Sequence, residues 1–120
     1  MREERGHLAG DITINEPYTL WGSIGGNVTA VNGSKFYMRG AIYGDLNVGP
    51  GGRVHVLGNI SGNITVSPKA KLIMGGKVAG NVTNLGGRLY IEATGQVLGK
   101  VRSHEGAETK IEKGAKAQLV

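Results

Sequence analysis

The sequence predicts an all-β, single-domain triangular β-solenoid, and three observations carry that prediction. A Gly-polar-aliphatic tripeptide recurs as Gly10-Asp11-Ile12, Gly26-Asn27-Val28, Gly44-Asp45-Leu46, Gly62-Asn63-Ile64, Gly80-Asn81-Val82 and Gly99-Lys100-Val101. The steps between these glycines are 16, 18, 18, 18 and 19 residues. Between them, short runs alternate apolar and polar residues with period two, the pattern of half-buried strands, and none shows a helical period. A fixed short repeat marks a stack in which each unit buries its apolar side only against its neighbours.

Taken in chain order, residues 1–9 lack the pattern and are predicted as an arm or cap, with the β-helix domain spanning 10–120. Three segments then make up each repeat. The first follows the glycine, as in Ile12-Thr13-Ile14, Leu46-Asn47-Val48 and Ile64-Thr65-Val66. The second opens on a basic residue, in Lys35-Phe36-Tyr37-Met38, Arg53-Val54-His55-Val56, Lys71-Leu72-Ile73-Met74 and Arg88-Leu89-Tyr90-Ile91. The third is aliphatic-x-Gly, as in Ile42-Tyr43-Gly44 and Val78-Ala79-Gly80. Three strands per turn give a triangle, and coils about 4.8 Å apart make about six coils a rod on the order of 30 Å long.

Strict register breaks in 84–99. The corner Asn84-Leu85-Gly86-Gly87-Arg88 is one residue shorter than Val66-Ser67-Pro68-Lys69-Ala70-Lys71, and Glu92-Ala93-Thr94-Gly95 is longer than its counterpart. Thr109-Lys110-Ile111-Glu112-Lys113-Gly114 reads as a last, Lys-rich partial coil. Aliphatic residues from Phe36 to Val78 also fall every six residues, which suits a left-handed hexapeptide helix. The second large inward residues at Leu46, Ile64, Met38 and Val56 argue for the right-handed form.

Composition narrows the class further. Glycine supplies 22 of 120 residues without a collagen period, cysteine is absent, and the formal net charge is +5. No disulfide or thiolate chemistry is available, and a cytoplasmic location is expected. The basic balance biases the chain toward anionic partners. No apolar run approaches the ~20 residues of a membrane helix, and the charged start Met1-Arg2-Glu3-Glu4-Arg5 is no signal peptide.

With aliphatic-x-Gly-Asp/Asn-aliphatic on coils of about 18 residues, 10–105 resembles a bactofilin, a bacterial cytoskeletal family. Ile42-Tyr43-Gly44-Asp45-Leu46 and Val78-Ala79-Gly80-Asn81-Val82 carry the likeness best. The resemblance implies a right-handed triangular β-helix that joins end to end into non-polar filaments without nucleotide, scaffolding envelope machinery at the membrane. The short charged start offers no apolar targeting segment, so membrane attachment does not follow from these residues.

The candidate site lies on the second segment. Alternation places Lys35, Arg53, Lys71 and Arg88 in one outward column, with Tyr37, His55, Ile73 and Tyr90 in the next. Such a face reads as an anion-binding strip, cations for phosphate or carboxylate beside flat rings for stacking, or as a solvated face or lateral interface between copies. A second ladder, Asp11, Asn27, Asp45, Asn63 and Asn81, is structural, because Asp and Asn suit corners and stacked amides hydrogen-bond along a stack. His7, His55 and His104 are dispersed, no carboxylate pair suggests acid–base work, and Gly49-Pro50-Gly51-Gly52 lacks the Lys-Ser/Thr of a phosphate loop.

These readings make the chain a non-enzymatic scaffold that associates with itself as a filament or homo-oligomer, with no cofactor and no metal. The rival is an oligomeric binding module that captures an anionic ligand, such as a nucleotide, a signalling dinucleotide or an acidic glycan. A hexapeptide-type acyltransferase using His55 is the third.

Overall fold

The structure, a computed structural model, describes residues 2–120. Its strands wind into seven coils. The first coil is β1 (Arg2–Glu4), β2 (His7–Leu8) and β3 (Ile12–Ile14), and the second is β4 (Pro17–Leu20), β5 (Ser23–Ile24) and β6 (Val28–Ala30). The third holds β7 (Lys35–Met38), β8 (Ala41–Ile42) and β9 (Leu46–Val48); the fourth holds β10 (Arg53–Val56), β11 (Asn59–Ile60) and β12 (Ile64–Val66). The fifth is β13 (Lys71–Met74), β14 (Lys77–Val78) and β15 (Val82–Asn84). In the sixth, β16 (Arg88–Ile91) precedes β17 (Gln96–Ser103), and the seventh has β18 (Glu108–Ile111) and β19 (Lys116–Leu119).

Each strand pairs in parallel with its equivalent one coil away. One face is the seven-stranded sheet β1-β4-β7-β10-β13-β16-β18. The other two faces merge into a single twelve-stranded sheet, because β17 runs unbroken through the Gly99 corner and pairs with both β14 and β15. The all-β solenoid of the sequence analysis is therefore the observed fold, 35 × 24 × 21 Å along its principal axes.

The core is a set of aliphatic columns that run the length of the rod. Phe36, Val54, Leu72 and Leu89 stack in one, and Met38, Val56, Met74 and Ile91 in the next, all buried. Tyr18 begins the first of these columns with its ring edge-on to Phe36 at 5.8 Å. Full burial of one such side chain contributes about 1.5–3 kcal/mol, and no coil could provide that alone.

At the corner after each repeat glycine, side-chain oxygens knit successive coils. Asp11 Oδ1 accepts from the Asn27 N–H at 2.7 Å, Asn27 Oδ1 from Asp45 at 2.8 Å, and Asp45 Oδ1 from Asn63 at 2.7 Å. Asn63 Oδ1 accepts from Asn81, and Asn81 Oδ1 from Lys100, both at 2.8 Å. The ladder thus runs from side chain to backbone rather than amide to amide. Only an oxygen is used, so Asp and Asn alternate freely. The glycine before each is required by space: a Cβ on Gly62 would sit 2.2 Å from Asp45 Oδ1 and 2.5 Å from the Gly44 carbonyl.

The register break has a specific cause. Lys71 pairs with Arg88 and Ile73 with Tyr90, whereas Val78 pairs with Val97 and Val82 with Val101. One residue is therefore dropped at the first corner and two are added at the next. Asn84 occupies the position held inward by Val48 and Val66 in earlier coils, fully buried. Its Oδ1 accepts from the Gly87 N–H at 2.8 Å and the Gly86 N–H at 3.3 Å. Its Nδ2 donates to the Gly87 carbonyl at 3.1 Å and to the Glu108 carbonyl and Thr109 Oγ1, both at 3.0 Å. The amide closes the shortened turn and ties it to the next coil.

Two sequence expectations change at the ends. The stack has seven coils rather than about six, since the Lys-rich partial coil at the end supplies β18 and β19 as a full layer. Residues 1–9, predicted as an arm or cap, carry β1 and β2, which pair in register with β4 and β5. There Arg2 and Glu4 stand at positions held by Tyr18 and Leu20 in the next coil. A terminal layer faces water on one side, so its inward positions tolerate charge and its pattern is lost. Arg2 lies over the Tyr18 ring at 5.5 Å.

Candidate functional site

The seven candidate residues fall on the seven-stranded face, in the two columns that alternation requires. The outer column reads Pro17, Lys35, Arg53, Lys71, Arg88 and Glu108, its four cations exposed. Its neighbour reads Thr19, Tyr37, His55, Ile73, Tyr90 and Lys110.

The rings are not free platforms. Lys35 Nζ lies 6.0 Å from the Tyr37 ring, which is tilted against His55 with centroids 6.2 Å apart. His55 Nε2 meets Glu92 Oε1 at 2.9 Å, and both side chains are partly buried. Tyr90 donates its phenolic proton to Glu112, an interaction that raises its pKa above the ordinary tyrosine value, and Lys110 Nζ lies 5.7 Å from its ring. Two shallow depressions remain on the open face, one of about 150 Å³ between Lys35, Tyr37, Arg53, His55, Lys71 and Ile73, and one of about 640 Å³ bordered by Lys71, Ile73, Arg88, Tyr90, Glu108 and Lys110.

Three of the four cations, Arg53, Lys71 and Arg88, also border the adjoining corner. There a groove of about 520 Å³ is lined by Arg53, Lys69, Lys71 and Arg88, with Asn32, Gly51, Gly52, Gly86, Gly87 and Gly106 as part of its lining. Glu108 closes one end, 3.5 Å from Arg88 Nε. Ser34 Oγ accepts the Arg53 N–H at 3.3 Å and fixes the backbone below the groove. Lys69 was missed by sequence reasoning. It is the only non-glycine among the described residues with positive φ, at 67°. A signal did exist, since Lys69 stands one coil after Gly51 and two after Gly33, both left-handed glycines at 79° and 93°.

A second feature went unread. Trp21 lies between the Arg5 and Arg39 guanidinium groups, each 5.1 Å from its ring, and donates Nε1–H to Glu3 at 3.2 Å. Arg5, Trp21 and Arg39 follow the coil spacing. Among the described residues, no group of three or more His, Cys, Asp or Glu side chains is placed to hold a metal.

A rod of parallel coils, with charge arrayed in lengthwise columns and strand edges open at each end, defines a structural repeat protein. More particularly, the chain belongs to the bactofilin family: the family model for bactofilin, described as polymer-forming cytoskeletal, matches residues 3–102. That span runs from β1 into β17 and takes in the four cations of the outer column and most of the groove lining. Neither a curated protein nor a solved structure matches the chain. The family is one of cytoskeletal polymers rather than enzymes. Among the described residues, no helix is long and apolar enough to cross a membrane.

Proposed function

We propose that this bactofilin is a non-enzymatic cytoplasmic scaffold whose rods join end to end. The observation that carries the proposal is the chemistry of the terminal layer. β18 and β19 are paired on one side only, so their other edges present unpaired N–H and C=O groups, a template for further strands. Around that edge the described residues place Ile111, Ala115 and Ala117 half-buried, with Leu119 and Val120 at 52% and 61% exposure. An apolar rim beside open strand edges gives a junction both hydrogen bonds and buried area. At the opposite end β1 is likewise open, with Arg2 and Glu4 at inward positions, so the two ends differ in kind.

Light scattering on a sizing column, with negative-stain images of the same fractions, tests this. Rods that lengthen with protein concentration are the expected result, and Leu119→Glu should shorten them while leaving the β-sheet circular dichroism intact. Polymers unchanged by Leu119→Glu, or a single species of fixed mass at all concentrations, would remove the end-joining mechanism.

A further inference from the structure

The geometry points to the basic corner groove as a docking site for a short acidic peptide segment of a partner protein. Beyond the charge of its walls, the backbone supplies an independent observation. The left-handed position in that corner is glycine at 33 and 51, where a side chain would strike the coil below: a Cβ on Gly33 would lie 2.7 Å from the Asn15 carbonyl, and one on Gly51 2.5 Å from Asn32 Oδ1. In the fifth coil the same position is Lys69, held at φ 67° in a conformation that disfavours L side chains. Residues kept in such sparsely populated regions concentrate where ligands bind. Here the disfavoured residue adds a fourth cation to a groove that already holds Arg53, Lys71 and Arg88.

The ends of the groove set the length of its occupant. Glu16 stands at the same corner in the coil before Gly33, paired with Arg2 at 3.6 Å, and Glu108 closes the other end. A long polyanion following the rod would meet a carboxylate at each end of every molecule. From Asn32 to Gly106 the groove crosses about four coil spacings, or ~19 Å, which an extended peptide of about six residues fills. From Arg53 to Arg88 is about two spacings, ~10 Å, the reach of three or four consecutive acidic residues.

The lining chooses among anions. No aromatic ring lines the groove, so it lacks the stacking platform that single-stranded nucleic acid uses. Asn32 Oδ1 in the groove wall is an acceptor, which a phosphate chain, itself only an acceptor, leaves unpaired. A peptide brings backbone N–H donors as well as carboxylates. Glycines at 51, 52, 86 and 87 leave the groove free of side chains at those positions for a backbone to approach.

Fluorescence anisotropy with a labelled six-residue Asp/Glu-rich peptide tests the site, with inorganic polyphosphate of matched length and oligothymidylate as competitors. The peptide should bind at about 50 mM salt and weaken as salt rises, as screened charge pairs do. Lys69→Gly installs the residue this backbone prefers, so folding is secure, and it should weaken binding about two- to fivefold, the range of one exposed ion pair. Arg53→Ala combined with Arg88→Ala should weaken it further, while Arg5→Ala, at a different corner, should leave it unchanged. Absence of binding at low salt, or wild-type affinity in both Lys69→Gly and the double variant, would overturn the site. Polyphosphate or oligothymidylate displacing the peptide more effectively than unlabelled peptide does would overturn the peptide assignment.

Discussion

Replacing Asn84 by valine tests the account of the register break most sharply, because repeat averaging and the structure disagree on the sign. Val48 and Val66 hold the equivalent inward position in earlier coils, so repeat logic makes Asn84→Val an improvement. The structure makes it a loss. Without the amide, the buried Gly87 N–H loses the one acceptor seen for it, and the Glu108 carbonyl loses a donor. Each unsatisfied group costs about 1–3 kcal/mol. At the middle of that range the two groups cost about 4 kcal/mol, and two added methyl groups return about 1.5 kcal/mol, which leaves a net destabilisation of about 2–3 kcal/mol. In a domain of 120 residues, 1 kcal/mol moves Tm by about 4 °C, so a fall of about 8–12 °C is expected. Thermal unfolding followed by far-ultraviolet circular dichroism measures it. A variant that melts at or above the wild-type temperature would refute the role assigned to Asn84.

Gly62→Ala should lower stability by about 3 kcal/mol in urea titration, because its Cβ displaces Asp45 Oδ1 and loses the bond to Asn63, a hydrogen bond to a charged group. Gly106→Ala, with open space around it and only a left-handed φ of 86° to oppose it, should cost about 1 kcal/mol in the same titration. Lys69→Gly should raise stability by about 1 kcal/mol, read as an upward Tm shift of about 4 °C. Tyr18→Phe removes a buried hydroxyl without a hydrogen-bond partner and should leave Tm unchanged or raise it. Burial first, and the Glu4 carboxylate second, hold the Tyr18 phenol above its usual 10.0. The unfolded chain therefore loses that proton first, and stability falls as pH rises through 10.0. Tyr18→Phe should flatten this alkaline decline in a pH series of melting curves.

The middle of the molecule was legible because alternation and stacking act together there. Once Phe36, Val54 and Leu72 point inward, Lys35, Arg53 and Lys71 have no choice but to face out, and the parallel register aligns them. The ends were not legible for a physical reason: Arg2 and Glu4 occupy inward positions that a one-sided layer leaves wet, so their polarity hides the strand. Asn84 was hidden differently, as a polar residue that sits inward yet is fully bonded, which no hydropathy pattern distinguishes from an outward Asn47. The groove depended on Lys69, whose backbone conformation only its alignment with Gly33 and Gly51 betrays. The rings at Tyr37 and Tyr90 looked available in the sequence, and they are occupied by Lys35, His55, Lys110 and Glu112 in space.

The corner ladder from Asp11 to Lys100 separates the length of the rod from the identity of its ends. Each rung is the same bond, an oxygen below accepting from a backbone N–H above, and between Asn27 and Asn81 the rungs recur every 18 residues. A duplicated block spanning one whole coil in that stretch would find the same acceptor beneath it and offer the same acceptor above. The molecule would then grow by ~4.8 Å with both terminal layers and both carboxylate boundaries of the basic corner carried along unaltered. The coil is thus a unit of length in this rod, and inserting or removing whole coils in that stretch would set the spacing of whatever the rod displays.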